Sequence, residues 1–154
     1  MATLVKKWGE KAGMAYFRRL ADMKPDVRKG HVLLAELIAA GEIPVGLTVY
    51  NSNAESFKRR GAPIDWVPVP PVVARAQGIG IARNAPNPKA AAAFVDYVLS
   101  PEGQALLNSM GRVPVSTKVA THLNQFEYTL VDSATVLDEQ DKWQKEWERL
   151  FLQK

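Results

Sequence analysis

Near the middle of the chain, Pro68-Val69-Pro70-Pro71 places three prolines in four residues. Proline lacks the backbone donor and fixes φ, so this stretch continues neither a helix nor a central strand. It reads as an extended connection and divides the chain into two readings. Before it, residues 11–22 carry Ala12, Tyr16, Phe17 and Leu20 at helical spacing, behind a shorter helix over 1–8 that breaks at Gly9. Residues 31–40 are apolar almost all round, with Glu36 the exception and Gly41 a left-handed stop, which predicts a buried helix. Residues 44–50 and 64–67 read as buried strands, with a short helix over 54–60 between them. Helix, strand, helix, strand points to α/β packing with parallel strands.

Beyond the prolines, residues 77–82 read as a strand. Asn87-Pro88 and Ser100-Pro101 each pair a capping side chain with a proline in the first helical position. They predict helices from 88 and over 101–110, the second stopped at Gly111, and the first with a stripe of Ala91, Phe94, Val95 and Val98. Residues 126–131 form a strand or strap. A continuous helix is expected over 135–152, its Val136, Trp143, Trp147, Leu150 and Phe151 forming a docking face within the protein.

Composition narrows the chemistry. With no cysteine among 154 residues, disulfides, thiolate catalysis and cysteine zinc sites are excluded. Only His31 and His122 are present, neither at metal-helix spacing, so no metal site of that kind is expected. Gly78-Ile79-Gly80 lacks the third glycine of a dinucleotide fingerprint, and Arg83 stands in its slot. There is neither a phosphate loop nor a GxSxG elbow. No catalytic residue and no cofactor is expected. No apolar run reaches the ~20 residues of a membrane helix, and residues 1–13 contain no continuous apolar signal core.

Charge is uneven. Residues 1–61 hold eleven Lys and Arg against six Asp and Glu, and the remainder is close to balance. Arg28-Lys29-Gly30-His31 precedes the helix over 31–40, where free N–H groups and two cations make a candidate anion site. Tyr50-Asn51 lies at the carboxyl end of an expected strand, where ligands of open α/β sheets gather. The candidate ligand-binding residues are therefore Arg28, Gly30, His31, Tyr50 and Asn51.

Two stretches, AGEIP…GAPIDWV and NAPNPKAAAAFVDYVLSPEGQ…GRVP, carry a resemblance that covers nearly the whole chain. The chain resembles the later part of bacterial extracellular solute-binding proteins of ABC transporters, in their ferric-ion-type branch. The resemblance implies an α/β, partial two-lobed periplasmic-binding-protein fold lacking most of the first lobe. Residues 1–67 then supply the later part of the second lobe, and 68–76 the hinge return. Residues 77–125 supply part of the first lobe, and 126–154 a C-terminal strap and helix.

It implies a non-enzymatic protein, periplasmic or lipid-anchored in its full-length form, with the signal peptide absent from this chain. Its partners are then a small-molecule or ion ligand and an ABC permease in the inner membrane, with no nucleic acid and a monomeric full-length form. Ferric-binding relatives carry adjacent tyrosines after the strand matching 45–50. Here the segment reads Tyr50-Asn51-Ser52-Asn53, with one tyrosine, and the basic Arg28-Lys29-Gly30-His31 segment points to a small anionic or polar organic solute, with ferric ion the other candidate. Two other classes stand against this reading. One is a small α/β hydrolase or transferase using His31, Tyr50 and a carboxylate such as Asp65; the other is a basic nucleic-acid module driven by the charge excess of residues 1–61, where Lys58-Arg59-Arg60 is a short cluster without interleaved aromatics.

Overall fold

The computed structural model describes residues 1–153. Among them are eight helices and two short strands, a mostly helical α/β chain with a two-stranded sheet. In order these are α1 (Ala2–Trp8), α2 (Glu10–Asp22), α3 (His31–Ala39), α4 (Asn51–Arg59), β1 (Val72–Ala74), α5 (Pro88–Leu99), α6 (Pro101–Ser109), β2 (Tyr128–Leu130), α7 (Ser133–Asp138) and α8 (Gln140–Phe151). They gather into two compact units. The first takes Met1–Arg28, Val69–Ala76 and the chain from Glu127 on; the second takes Lys29–Pro68 and Gln77–Phe126. The lobes expected from the resemblance cut the chain differently, joining 1–67 and setting 77–125 apart.

The first unit is built around α1, α2 and α8. Val5, Met14, Phe17 and Trp143 bury together, with Leu4, Leu20, Val136, Leu150 and Phe151 around them. The tryptophan-bearing tail thus docks on its own protein. Glycine decides how close α1 and α2 come: a Cβ on Gly13 would lie 2.6 Å from Val5 Cα. The tail helix is not continuous as expected. It breaks at Glu139, whose Oε1 accepts from Lys6 Nζ at 2.9 Å and whose Oε2 accepts from Trp143 Nε1 at 2.7 Å. A side chain on α1 thereby pins the corner between α7 and α8. The parallel pair β1–β2 belongs to this unit, with Val73 opposite Thr129.

In the second unit, helix boundaries follow local capping. Asn87 Oδ1 accepts from Ala90 N–H at 3.0 Å, and Ser100 Oγ from Gly103 N–H at 3.1 Å. Gly41, Gly61 and Gly111 all take positive φ after their helices. The three strands expected in this unit do not form. Over 44–50 the chain is irregular, Thr48 has φ 62°, and Val45 and Leu47 are 73% and 61% exposed. A residue in the left-handed region cannot sit in a regular ladder. Residues 64–67 and 77–82 run without a ladder, since a strand needs a neighbour to pair its backbone. Helix α3 also departs from expectation: only Ala35 is buried, while Val32 and Leu33 stay exposed.

The α5–α6 corner is equally tight, because a Cβ on Gly103 would meet Tyr97 O at 2.1 Å. The backbone there cannot yield as a flexible side chain would. Gly103→Ala is expected to cost about 2–3 kcal/mol of stability by overpacking, and Gly13→Ala a similar amount, both read by urea denaturation. An unchanged midpoint in either variant would contradict these close approaches.

Candidate functional site

Helix α3 begins at His31 behind Gly30, and α4 begins at Asn51 behind Tyr50. Gly30 has φ 99°, a conformation that side chains other than glycine rarely adopt. Neither helix start has a side-chain cap. Their first N–H groups therefore keep the positive partial charge of a helix N-terminus. The His31 and Tyr50 rings meet at 4.1 Å between centroids, tilted by 40°, and bring the two helix starts together. His31 Nδ1 is buried there with no hydrogen-bond partner. A buried polar atom in that state carries a desolvation cost until something pairs with it.

Three of the five candidate residues, Gly30, His31 and Tyr50, are therefore brought together. Asn51 adjoins them in sequence, but its Nδ2 donates to Leu123 O at 2.8 Å and fastens the 121–125 segment to α4. Arg28 belongs to the first unit, where its Nη2 and Nε lie 2.8 and 2.9 Å from Asp26 Oδ2.

A second cluster escaped the sequence reading. Glu55, on α4, is only 6% exposed. Its Oε1 accepts from Arg59 Nε at 2.8 Å and lies 3.5 Å from His122 Nε2, while Oε2 accepts from Trp66 Nε1 at 3.2 Å. Arg59 continues to Ser109 O at 2.6 Å and Asn108 O at 3.3 Å, at the C-terminal end of α6. The Arg59 hydrogen bond holds the Glu55 carboxyl below the usual carboxylate range; burial opposes this, and Trp66 and nearby positive charge assist it. The available signal was the spacing of Glu55 and Arg59, one helical turn apart.

These bonds also account for the basic cluster. Lys58 pairs with Asp65 at 2.9 Å, Arg59 with Glu55, and Arg60 lies over the Phe57 ring at 4.4 Å. Lys58 and Arg59 thus each have a carboxylate partner within the fold, and the Asp65 carboxylate of the hydrolase reading is the one that Lys58 holds. Among the described residues no three His, Asp or Glu side chains gather at metal-binding distance.

The family model described as bacterial extracellular solute-binding protein matches residues 2–113, and the chain belongs to that family. An uncharacterized protein of Haemophilus influenzae is 32% identical over 112 residues, covering 72% of this chain and 32% of that relative. The chain thus spans about a third of the curated relative it matches. No solved structure matches.

Glu55→Gln is expected to lose about 2 kcal/mol at neutral pH, the worth of hydrogen bonds to a buried charge. The depressed carboxyl contributes stability above its unfolded pKa, and that contribution disappears as pH falls below about 4. Urea denaturation across that range should show a smaller acid loss in Glu55→Gln than in the parent. Equal losses would contradict the assignment.

Proposed function

We propose that this chain is the C-terminal portion of the solute-binding subunit of an ABC importer, periplasmic or lipid-anchored in its full-length form. The parent encloses a small solute between two lobes and delivers it to an inner-membrane permease. Cleft closure acts by population shift, since the ligand favours the closed state. Family membership and the span of a third of the relative support this reading. Residues 1–67 and 77–125 are then contributions to the two lobes of the parent, with 126–154 as the closing strap and helix.

The ligand reading is a small organic anion, a carboxylate or phosphonate, at Gly30, His31 and Tyr50. The observation that carries it is the unpartnered His31 Nδ1 beside two uncapped helix starts. Uncapped N–H groups with a nearby imidazole suit an anion. One phenol and one imidazole are a sparser set for ferric ion, the other cargo of this branch.

Calorimetry on the full-length parent with small carboxylates, phosphonates and ferric ion tests the ligand class. A carboxylate or phosphonate is expected to bind, and His31→Ala to weaken it by about 1.5–3 kcal/mol. Binding of ferric ion alone would overturn the anion reading. The DNA upstream of the Met1 codon tests the parent: a long in-frame extension beginning with a signal peptide is expected, and an unrelated gene would overturn it.

A further inference from the structure

The anion reading needs two helix starts held in one arrangement, and core packing fixes only part of it. Ala35 and Ala54 lie one turn beyond His31 and Tyr50, and both are buried in the core of the second unit. Their small side chains let α3 and α4 pack closely there. The turn ahead of Ala54 is a helix end, and helix ends fray unless something holds them. No side chain caps that turn of α4. Tyr50 is 37% exposed, too open for core packing alone to fix its ring.

The tie comes from 72 residues away in the chain. Asn51, the first residue of α4, donates from Nδ2 to Leu123 O at 2.8 Å. The acceptor is itself fixed. Leu123 is fully buried, and its N–H donates to Thr121 Oγ1 at 3.2 Å. Just before it, Asn108 Nδ2 donates to Ala120 O at 3.1 Å, and His122 Nε2 lies 3.5 Å from Glu55 Oε1. Residues 120–123 are thus held by α6, by the middle of α4 and by the core. The Leu123 carbonyl is a fixed post to which the first turn of α4 is fastened. An asparagine side chain has only two rotatable bonds, so holding its amide restrains the backbone that carries it. The planar peptide between Tyr50 and Asn51 passes that restraint to Tyr50. Residues 120–123 lie beyond residue 113, where the family match ends.

We propose that Asn51 is a positioning residue of the candidate site: its bond to the Leu123 carbonyl holds Tyr50 against His31 and keeps the two helix starts aligned for one anion. Asn51 acts through Tyr50 and not on the ligand. The consequence for binding rests on the anion reading; the ring contact does not, and is read without any ligand.

NMR of the full chain at constant pH tests it. The Tyr50 ring, 4.1 Å from the His31 ring, displaces the His31 ring-proton resonances, and a Tyr50→Leu variant defines their position without that ring. Asn51→Ala should move them toward the Tyr50→Leu position. Asn51→Asp should do the same, because it keeps the side-chain shape and its charge favours a helix start, but it has no donor for a carbonyl. Asn108→Ala removes the other amide tie to the same segment. It should lower the urea midpoint and leave the His31 resonances in place. Titration with methylphosphonate, followed on the amides of residues 30–32 and 51–53, should show affinity weakened about fivefold in Asn51→Ala, as the aligned fraction falls. Affinity should be unchanged in Asn108→Ala. His31 resonances unmoved by Asn51→Ala, or moved equally by Asn108→Ala, would overturn the positioning role, as would equal methylphosphonate affinity in Asn51→Ala and the parent chain. If the resonances respond as expected but methylphosphonate binds no variant and not the parent chain, the anion reading falls and the hold of Asn51 on Tyr50 stands.

Discussion

The second unit depends on a buried carboxylate. Its buried hydrophobic side chains are few, and two of the four are alanines: Ala35, Ala54, Ile64 and Leu123. Such a core supplies little area and almost no directional information. Glu55 supplies the direction. Through Arg59 it reaches the last carbonyls of α6, through Trp66 the chain after α4, and through His122 the segment ending in the buried Leu123. A hydrogen bond to a charged group contributes about 1.5–3 kcal/mol net, and losing one partner leaves the rest exposed to desolvation cost. Gln104 repeats the device in neutral form. Its Nε2 donates to Val98 O at 2.7 Å, and its Oε1 accepts from Val115 N–H at 2.8 Å. The first unit works the opposite way, with Val5, Met14, Phe17 and Trp143 packed as an apolar core and charge kept to its margin.

What could be read in advance follows from how local each determinant is. Asn87-Pro88 and Ser100-Pro101 start helices because cap and proline act within four residues, and Gly41, Gly61 and Gly111 end them by φ alone. Strands cannot be fixed that way. Residues 44–50 have strand composition, yet a strand also needs a partner, and none pairs with them. The break at Glu139 depends on Lys6, 133 residues away in the chain. Glu55 and Arg59 were visible as an i,i+4 pair, but burial of the carboxylate requires Trp66 and His122 from elsewhere. At the candidate site, helix starts were legible and brought His31 and Tyr50 into play. The commitments of Asn51 to Leu123 and Arg28 to Asp26 were not.

The same bonds change the meaning of the uneven charge. The excess of Lys and Arg over residues 1–61 suggested a surface for phosphates. Four of the eleven cations, Lys6, Arg28, Lys58 and Arg59, pair with Glu139, Asp26, Asp65 and Glu55. Each of these cations has a carboxylate competitor at 2.8–2.9 Å, a strong one for Arg59 on the buried Glu55 and a weak one in the three exposed pairs. Uncapped backbone N–H groups have no such competitor. This is why the anion reading rests on the starts of α3 and α4 and not on the basic side chains.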